Sequence, residues 1–308
     1  MLTVIASLVP VFLLIALGYG LRRSLLKKDD HWIGLEQLVY YVLFPALLIE
    51  TLGRADLSRV PVAGVGGAML LAVLIVAALC LALRPLLARL VGLKGPAFTS
   101  LFQGAVRWQT FVALSVTGNL FGAHGLALAS VAMVAIIPVL NVMSVSVLAH
   151  FAAPQKMSWR HTLLAILRNP FIWACLIGIA INISGLPVPK PLYEFAGSLG
   201  RSSLAIGLLV VGAGLHLEGL KRPSAAAWLT VCLKLVVLPV IAISLGTAFG
   251  LSGASLVVVA CCASVPSASN AYVLARQMGG DAPLLAQILV LQTVLAAFTM
   301  PLFINFAG

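Results

Sequence analysis

Runs of about twenty apolar residues, the length of a helix that crosses a bilayer, recur along the whole chain. Ten spans are predicted near residues 2–21, 33–52, 62–83, 97–120, 125–149, 164–184, 193–215, 224–249, 253–276 and 283–306. None of these runs shows the alternating pattern of a membrane β-barrel. The sequence therefore predicts an all-α polytopic membrane protein with ten transmembrane helices and a retained first span, and it excludes a soluble domain.

The basic residues are concentrated in the short loops between these spans. A net charge of +11 would suggest a nucleic-acid partner in a soluble protein. Here, with the N-terminus outside, the inner loops hold 13 Lys and Arg residues and the outer loops hold 3. Because Lys and Arg accumulate in cytoplasmic loops, both termini are predicted to lie outside a bacterial cytoplasmic (inner) membrane. The expected partner is the lipid bilayer and not nucleic acid.

Ten spans divide into two halves of five, and an odd number per half inverts the second half in the membrane. Residues 1–150 would form the first repeat, 151–163 a cytoplasmic linker, and 164–308 the second repeat. Similar glycine-containing turns follow span 4 at residues 119–126 and span 9 at residues 277–284. This similarity supports two inverted five-helix repeats.

Span 9 carries a proline and several polar residues at its middle. Pro266 interrupts a regular helix, and Ser264, Ser267 and Asn270 lie near it. One interpretation is a proline kink whose serines bond back to their own helix. The other is broken backbone that lines a wet cavity, with a half-helix N-terminus near Ser267 and Ala268 that attracts an anion.

The corresponding part of span 4 is also polar. In the register of the two halves, Gln109 falls opposite Pro266, between Arg107 and Thr110. Each half thus has an interruption in its fourth helix. Paired interruptions of this kind indicate a transporter's substrate site.

Three cations lie within spans: Arg107 and Lys234 near the middle of theirs, and Arg201 about a third of the way along span 7. The eight acidic residues lie in loops or near helix ends. A surplus of buried cations favours an anionic ligand, most simply a carboxylate. The alternatives are structural pairing for Arg107, snorkelling for Arg201, and a proton carrier or fixed counter-charge for Lys234.

Enzyme chemistry is not indicated. The five cysteines show no metal-ligand spacing, and no zinc-protease, nucleophile-elbow or phosphate-loop motif occurs. No catalytic residue, metal ligand or cofactor is predicted. The mid-span amides Asn141 and Gln292 are expected to join neighbouring helices or to contact a ligand.

Four segments together resemble the auxin efflux carrier family of transporters. They are residues 40–48 (YYVLFPALL), 103–125, 232–239 (CLKLVVLP) and 264–281, the last with its Pro, small residues, Asn and final Gly-Gly-Asp. The resemblance implies ten helices in two inverted repeats, with broken helices 4 and 9 crossing each other, a fold shared with sodium–bile acid symporters. It also implies secondary transport of organic anions such as dicarboxylates or indole acids. Pro266 and Asn270 would take the crossover roles in span 9.

Span 4 departs from the family pattern, with Gln109 where Asn is usual and Ser115 where Pro is usual, which leaves the sharpness of its break open. The predicted substrate-binding residues are Arg107, Gln109, Thr110, Ser115, Asn141, Lys234, Ser264, Pro266, Ser267, Asn270 and Gln292. The predicted function is a permease for a small carboxylate. A ligand-binding membrane sensor and a sodium-coupled symporter are the alternatives. The sequence leaves proton coupling and a homodimer open.

Overall fold

The computed structural model describes residues 2–54, 61–90, 92–152, 170–184, 188–215 and 223–308, and no strand occurs in that part of the chain. The helices are α1 (Leu2–Ser24), α2 (Asp29–Leu38), α3 (Phe44–Arg54), α4 (Val62–Leu90), α5 (Gly95–Val106), α6 (Thr110–Phe151), α7 (Pro170–Ser184), α8 (Lys190–Ala213), α9 (Ala225–Cys232), α10 (Leu238–Ala248), α11 (Gly253–Ser264), α12 (Asn270–Met278) and α13 (Ala282–Ala307). Every predicted span coincides with helix, although the start of the sixth and most of the 151–163 linker lie outside the described residues. The prediction of an all-α membrane protein is confirmed.

Seven helical stretches in the described chain are long and apolar enough to cross a membrane. One of them, Gly95–Phe151, has 57 residues, far more than the roughly 20 that one crossing needs. It reverses at Gly122, whose φ of 57° is left-handed. A Cβ placed on Gly118 would lie 3.1 Å from Leu126, whereas residues eight apart in a straight helix are about 12 Å apart. The predicted turn between spans 4 and 5 is therefore present.

Two further spans are continuous through a wide helical turn. A π-turn at Val39–Leu43 joins α2 to α3, and another at Leu233–Val237 joins α9 to α10. Each is followed by a proline, Pro45 or Pro239. Because proline lacks an N–H and clashes with the carbonyl four residues earlier, the preceding turn widens.

The helices pack as two groups. The first group consists of α1, α2, α3, α7 and α8, whereas α4, α5, α6 and α9 to α13 form the second group. Close approach in the first group depends on glycine. A Cβ at Gly200 of α8 would lie 2.9 Å from the Leu47 Cα on α3, so no larger residue permits this packing. The two groups meet beside the breaks in spans 4 and 9.

Candidate substrate site at the helix crossing

Span 4 is fully broken in the middle of the protein. Helix α5 ends at Val106 and α6 begins at Thr110, and Arg107 between them has extended backbone with φ −68° and ψ 158°. Span 9 breaks in the same way between α11 and α12, where Val265 has φ −68° and ψ 152°. The predicted interruption of both helices is confirmed.

Each break is stabilised by the other. The Gln109 backbone N–H donates to the Pro266 carbonyl at 3.1 Å. The Trp108 indole N–H donates to the Cys262 carbonyl at 2.6 Å. Since the backbone groups released by one interruption bond to the other span, span 4 needs no proline to break. Ser115, where the family pattern places proline, is buried within α6 and lies outside the break.

Gln292 of α13 holds the two breaks together. Its Oε1 accepts the Ser267 backbone N–H at 3.0 Å, and its Nε2 donates to the Gly104 carbonyl at 2.8 Å. The Ser267 hydroxyl donates to the same carbonyl at 2.6 Å. One amide therefore satisfies buried backbone groups from both broken spans, which is the helix-joining role that the sequence allows for it.

The second half-helix of span 9 begins two to three residues later than predicted. Helix α12 begins at Asn270 and not near Ser267 and Ala268, because residues 266–268 are drawn out of helix toward Gly104 and Gln109. The Ser267 N–H is occupied by Gln292 and is not free for an anion. The Ser264 hydroxyl bonds back to the Ala260 carbonyl of its own helix.

A cavity of about 150 Å³ lies beside the crossing, between the two groups of helices. Its lining comes from both breaks and from four further helical stretches. The lining residues are Glu36, Tyr40, Arg107, Trp108, Gln109, Thr110, Phe111, Ile137, Leu140, Asn141, Phe171, Val210, Val211, Ala268, Ser269 and Asn270. Eight of these sixteen residues are apolar and eight are polar or charged. An apolar wall with convergent polar groups is typical of a small-molecule site.

Arg107 provides the positive charge of this cavity. Its side chain is only 7% exposed, and its two terminal nitrogens donate to the Gln103 Oε1 at 3.3 Å and the Asn141 Oδ1 at 3.2 Å. Among the described residues no carboxylate pairs with it. Since a guanidinium has five N–H donors and both partners are neutral amides, Arg107 keeps its charge and spare donors for an anion.

The start of α12 borders the same cavity. Ser269 and Asn270 line it, and the Gln109 amide nitrogen donates to the Ser269 hydroxyl at 3.3 Å. The N-terminal end of a helix carries a partial positive charge. This end therefore adds to the field of Arg107 in favouring an anion.

Five of the predicted site residues line the cavity: Arg107, Gln109, Thr110, Asn141 and Asn270. Outside the lining lie Ser115, Lys234, Ser264, Pro266, Ser267 and Gln292. The Lys234 side chain is fully buried in the π-turn, and its ammonium has no hydrogen-bond partner in the described part of the chain.

Sequence reasoning missed Glu36 and Tyr40. They lie four positions apart, which places them on one helical face, and that spacing is a signal that a search for polar faces could have found. No sequence pattern indicates that Phe171 and Val210 line the cavity, because they come from helices remote in the chain.

Comparisons with known proteins identify the family of the chain. A family model described as a membrane transport protein matches residues 3–158 and 153–304. A protein of Methanothermobacter thermautotrophicus named "Uncharacterized transporter" is 26% identical over 96% of this chain and 96% of its own length. A protein of Rhizobium meliloti named "Putative malonate transporter" is 27% identical over 94% of this chain and 92% of its own length. The chain therefore belongs to the auxin efflux carrier-like family of membrane transport proteins, and it is an integral membrane transporter rather than an enzyme.

Proposed function

We propose that this protein is a secondary transporter that moves a small organic anion, a carboxylate, by alternating access at the crossing of spans 4 and 9. The observation that carries the proposal is Arg107, a cation buried in the cavity without a carboxylate partner among the described residues. Leaving a buried charge without a counter-charge is costly. A carboxylate ligand, which accepts a guanidinium bidentately, would supply the missing charge.

The size of the cavity favours a compact substrate. An engineered cavity of about 150 Å³ binds benzene, and the cavity here has the same volume. A short carboxylate or dicarboxylate therefore fits, whereas an indole acid would require a wider cavity. The relative named as a malonate transporter supports the same substrate class.

Alternating access requires that the cavity open to each membrane face in turn. Three helix ends lie near the cavity: α2 begins seven residues before Glu36, α7 begins one residue before Phe171, and α8 ends two residues after Val211. These three ends adjoin loops that the charge distribution assigns to the cytoplasm. We infer that this conformation faces inward, and that movement between the two groups of helices opens the other side. The two inverted repeats, residues 1–150 and 164–308, would supply the two related states.

Uptake into proteoliposomes tests the transport function. Liposomes containing the purified protein should accumulate radiolabelled malonate, and unlabelled short carboxylates should compete better than an indole acid. Imposed pH and sodium gradients would separate proton coupling from sodium coupling. Empty liposomes are the control. Specific binding of carboxylates with no uptake under any gradient would contradict transport and would favour a ligand sensor.

We also propose that both termini lie outside a bacterial inner membrane. Single cysteines at Lys28, in the loop after α1, and at Ser252, in the loop before α11, should be modified by an impermeant maleimide from opposite sides. Ser252→Cys should react in intact cells, and Lys28→Cys only after the membrane is opened. The unsubstituted protein reports background labelling of its own cysteines. The reverse pattern would overturn the orientation.

A further inference from the structure

The substrate cavity also contains a carboxylate. Glu36 of α2 lines the same cavity as Arg107, and it is the one acidic side chain among the described lining residues. Glu36 has no hydrogen-bond or ion-pair partner in the described chain. Unlike Arg107, it is exposed. A carboxylate in a cavity that binds an anion needs an explanation. The negative charges of Glu36 and of the bound anion would destabilise each other when they are close.

We propose that Glu36 is the proton-binding group that couples anion transport to the proton gradient. This inference rests on the proposed function, since it requires an anionic substrate at Arg107. Glu36 would take one proton from solvent when the cavity is open to one side, and would release it to solvent on the other side. No covalent bond forms between Glu36 and the substrate, and one proton crosses with each anion.

Glu36 is the one carboxyl among the titratable groups that the described lining contains. From the π-turn that follows α2, Tyr40 faces the cavity, and from the broken span 4, Arg107 does so. Helix α8 packs against α2 and contributes only the apolar Val210 and Val211 to the lining. The other titratable residues of α2, namely Asp29, Asp30 and His31, are absent from the lining. Arg107 is thus the one other charged side chain among the described lining residues, and it is the group that we propose binds the substrate.

Protonation of Glu36 and binding of an anion reinforce each other. An ionised Glu36 repels a carboxylate that enters beside it, whereas a protonated Glu36 is neutral and can donate a hydrogen bond. Because coupling between two binding sites is reciprocal, the bound anion favours the protonated carboxyl by the same factor. The empty transporter releases the proton, and the loaded one retains it. This arrangement predicts symport of the anion with a proton.

The test measures anion affinity against pH in the purified full-length protein. Methanedisulfonate is a suitable probe, because it stays fully ionised and its own charge does not change with pH. Calorimetric titrations would run from about pH 5 to about pH 8, the range in which proteins are usually most stable. Wild-type affinity should fall as pH rises, by up to about tenfold per pH unit for one linked proton. Glu36→Gln, a neutral isostere of the protonated side chain, should bind with an affinity that no longer changes with pH.

Matched variants separate this role from a structural one. Glu36→Asp keeps a carboxyl and should keep the pH slope, and Glu36→Ala should lose it even if Glu36→Gln is not recovered in folded form. Glu50→Gln removes a carboxylate of α3 that pairs with Arg54 at 3.3 Å outside the cavity, and should retain the wild-type slope. A wild-type slope in Glu36→Gln or Glu36→Ala would overturn the coupling role and leave the proposed function intact. Failure of the wild-type protein to bind malonate or methanedisulfonate at any pH would overturn both.

Discussion

Arg107→Gln is expected to lower the affinity for a small carboxylate by about 100-fold or more, while the protein still folds and inserts. Two charge-assisted hydrogen bonds to a carboxylate contribute roughly 1.5–3 kcal/mol each, and every 1.4 kcal/mol or so is a tenfold change in affinity. Folding should survive because the partners of Arg107 are two neutral amides, Gln103 and Asn141, and no carboxylate of the described chain is left unpaired. Titration calorimetry and a thermal unfolding scan measure the two effects separately.

Arg107→Lys should recover part of the affinity, because an ammonium keeps the charge but cannot bind a carboxylate bidentately. The matched control is Arg201→Gln. Arg201 is an exposed cation of α8 that donates to the Ser198 hydroxyl at 3.1 Å and lies outside the cavity lining. Its substitution should leave affinity unchanged. Equal affinities in Arg107→Gln and the wild-type protein would return Arg107 to a structural role and remove the main support for an anionic substrate.

Gln292→Leu is expected to destabilise the crossing itself. The substitution leaves the buried Ser267 N–H without an acceptor. It also removes one of the hydrogen bonds to the buried Gly104 carbonyl. An unsatisfied buried group costs about 1–3 kcal/mol, so the free energy of unfolding should fall by roughly 2–4 kcal/mol. Substrate binding should fall with it, since both breaks would shift relative to Arg107. Unfolding in denaturant and malonate uptake would be measured together.

Thr293→Val is the control on the same helix. The Thr293 hydroxyl is buried and bonds only to the Leu289 carbonyl of its own helix at 2.7 Å, so its loss should cost about 1 kcal/mol or less.

Pro266→Ala should also have a mild effect on stability and uptake, because span 4 holds an equivalent break without proline. If Pro266→Ala abolished uptake while Gln292→Leu retained wild-type stability and uptake, proline, and not the amide network, would be what maintains the break.

The pattern of apolar runs was enough to predict the helices. Ten spans, the turn at Gly122 and the interruptions near Arg107 and Pro266 all follow from local composition and from the few residues that disrupt a helix. Arg107 could also be identified as the central charge, because a cation in the middle of an apolar run has few roles. The inverted pairing of the two halves stays a prediction.

The sequence by itself therefore determined that this protein is a helical membrane transporter and which spans are interrupted. Only the tertiary structure decided how each interruption is held and which side chains share a cavity. Pro266 marks one break, but the break in span 4 exists because Gln109 and Trp108 find carbonyl partners on span 9. In the sequence Glu36 is only an acidic residue near a helix end. In the structure it lines the same cavity as Arg107. Both results depend on contacts between segments far apart in the chain. Buried polar groups form hydrogen bonds with the groups that the fold brings near them. The local sequence does not specify those partners.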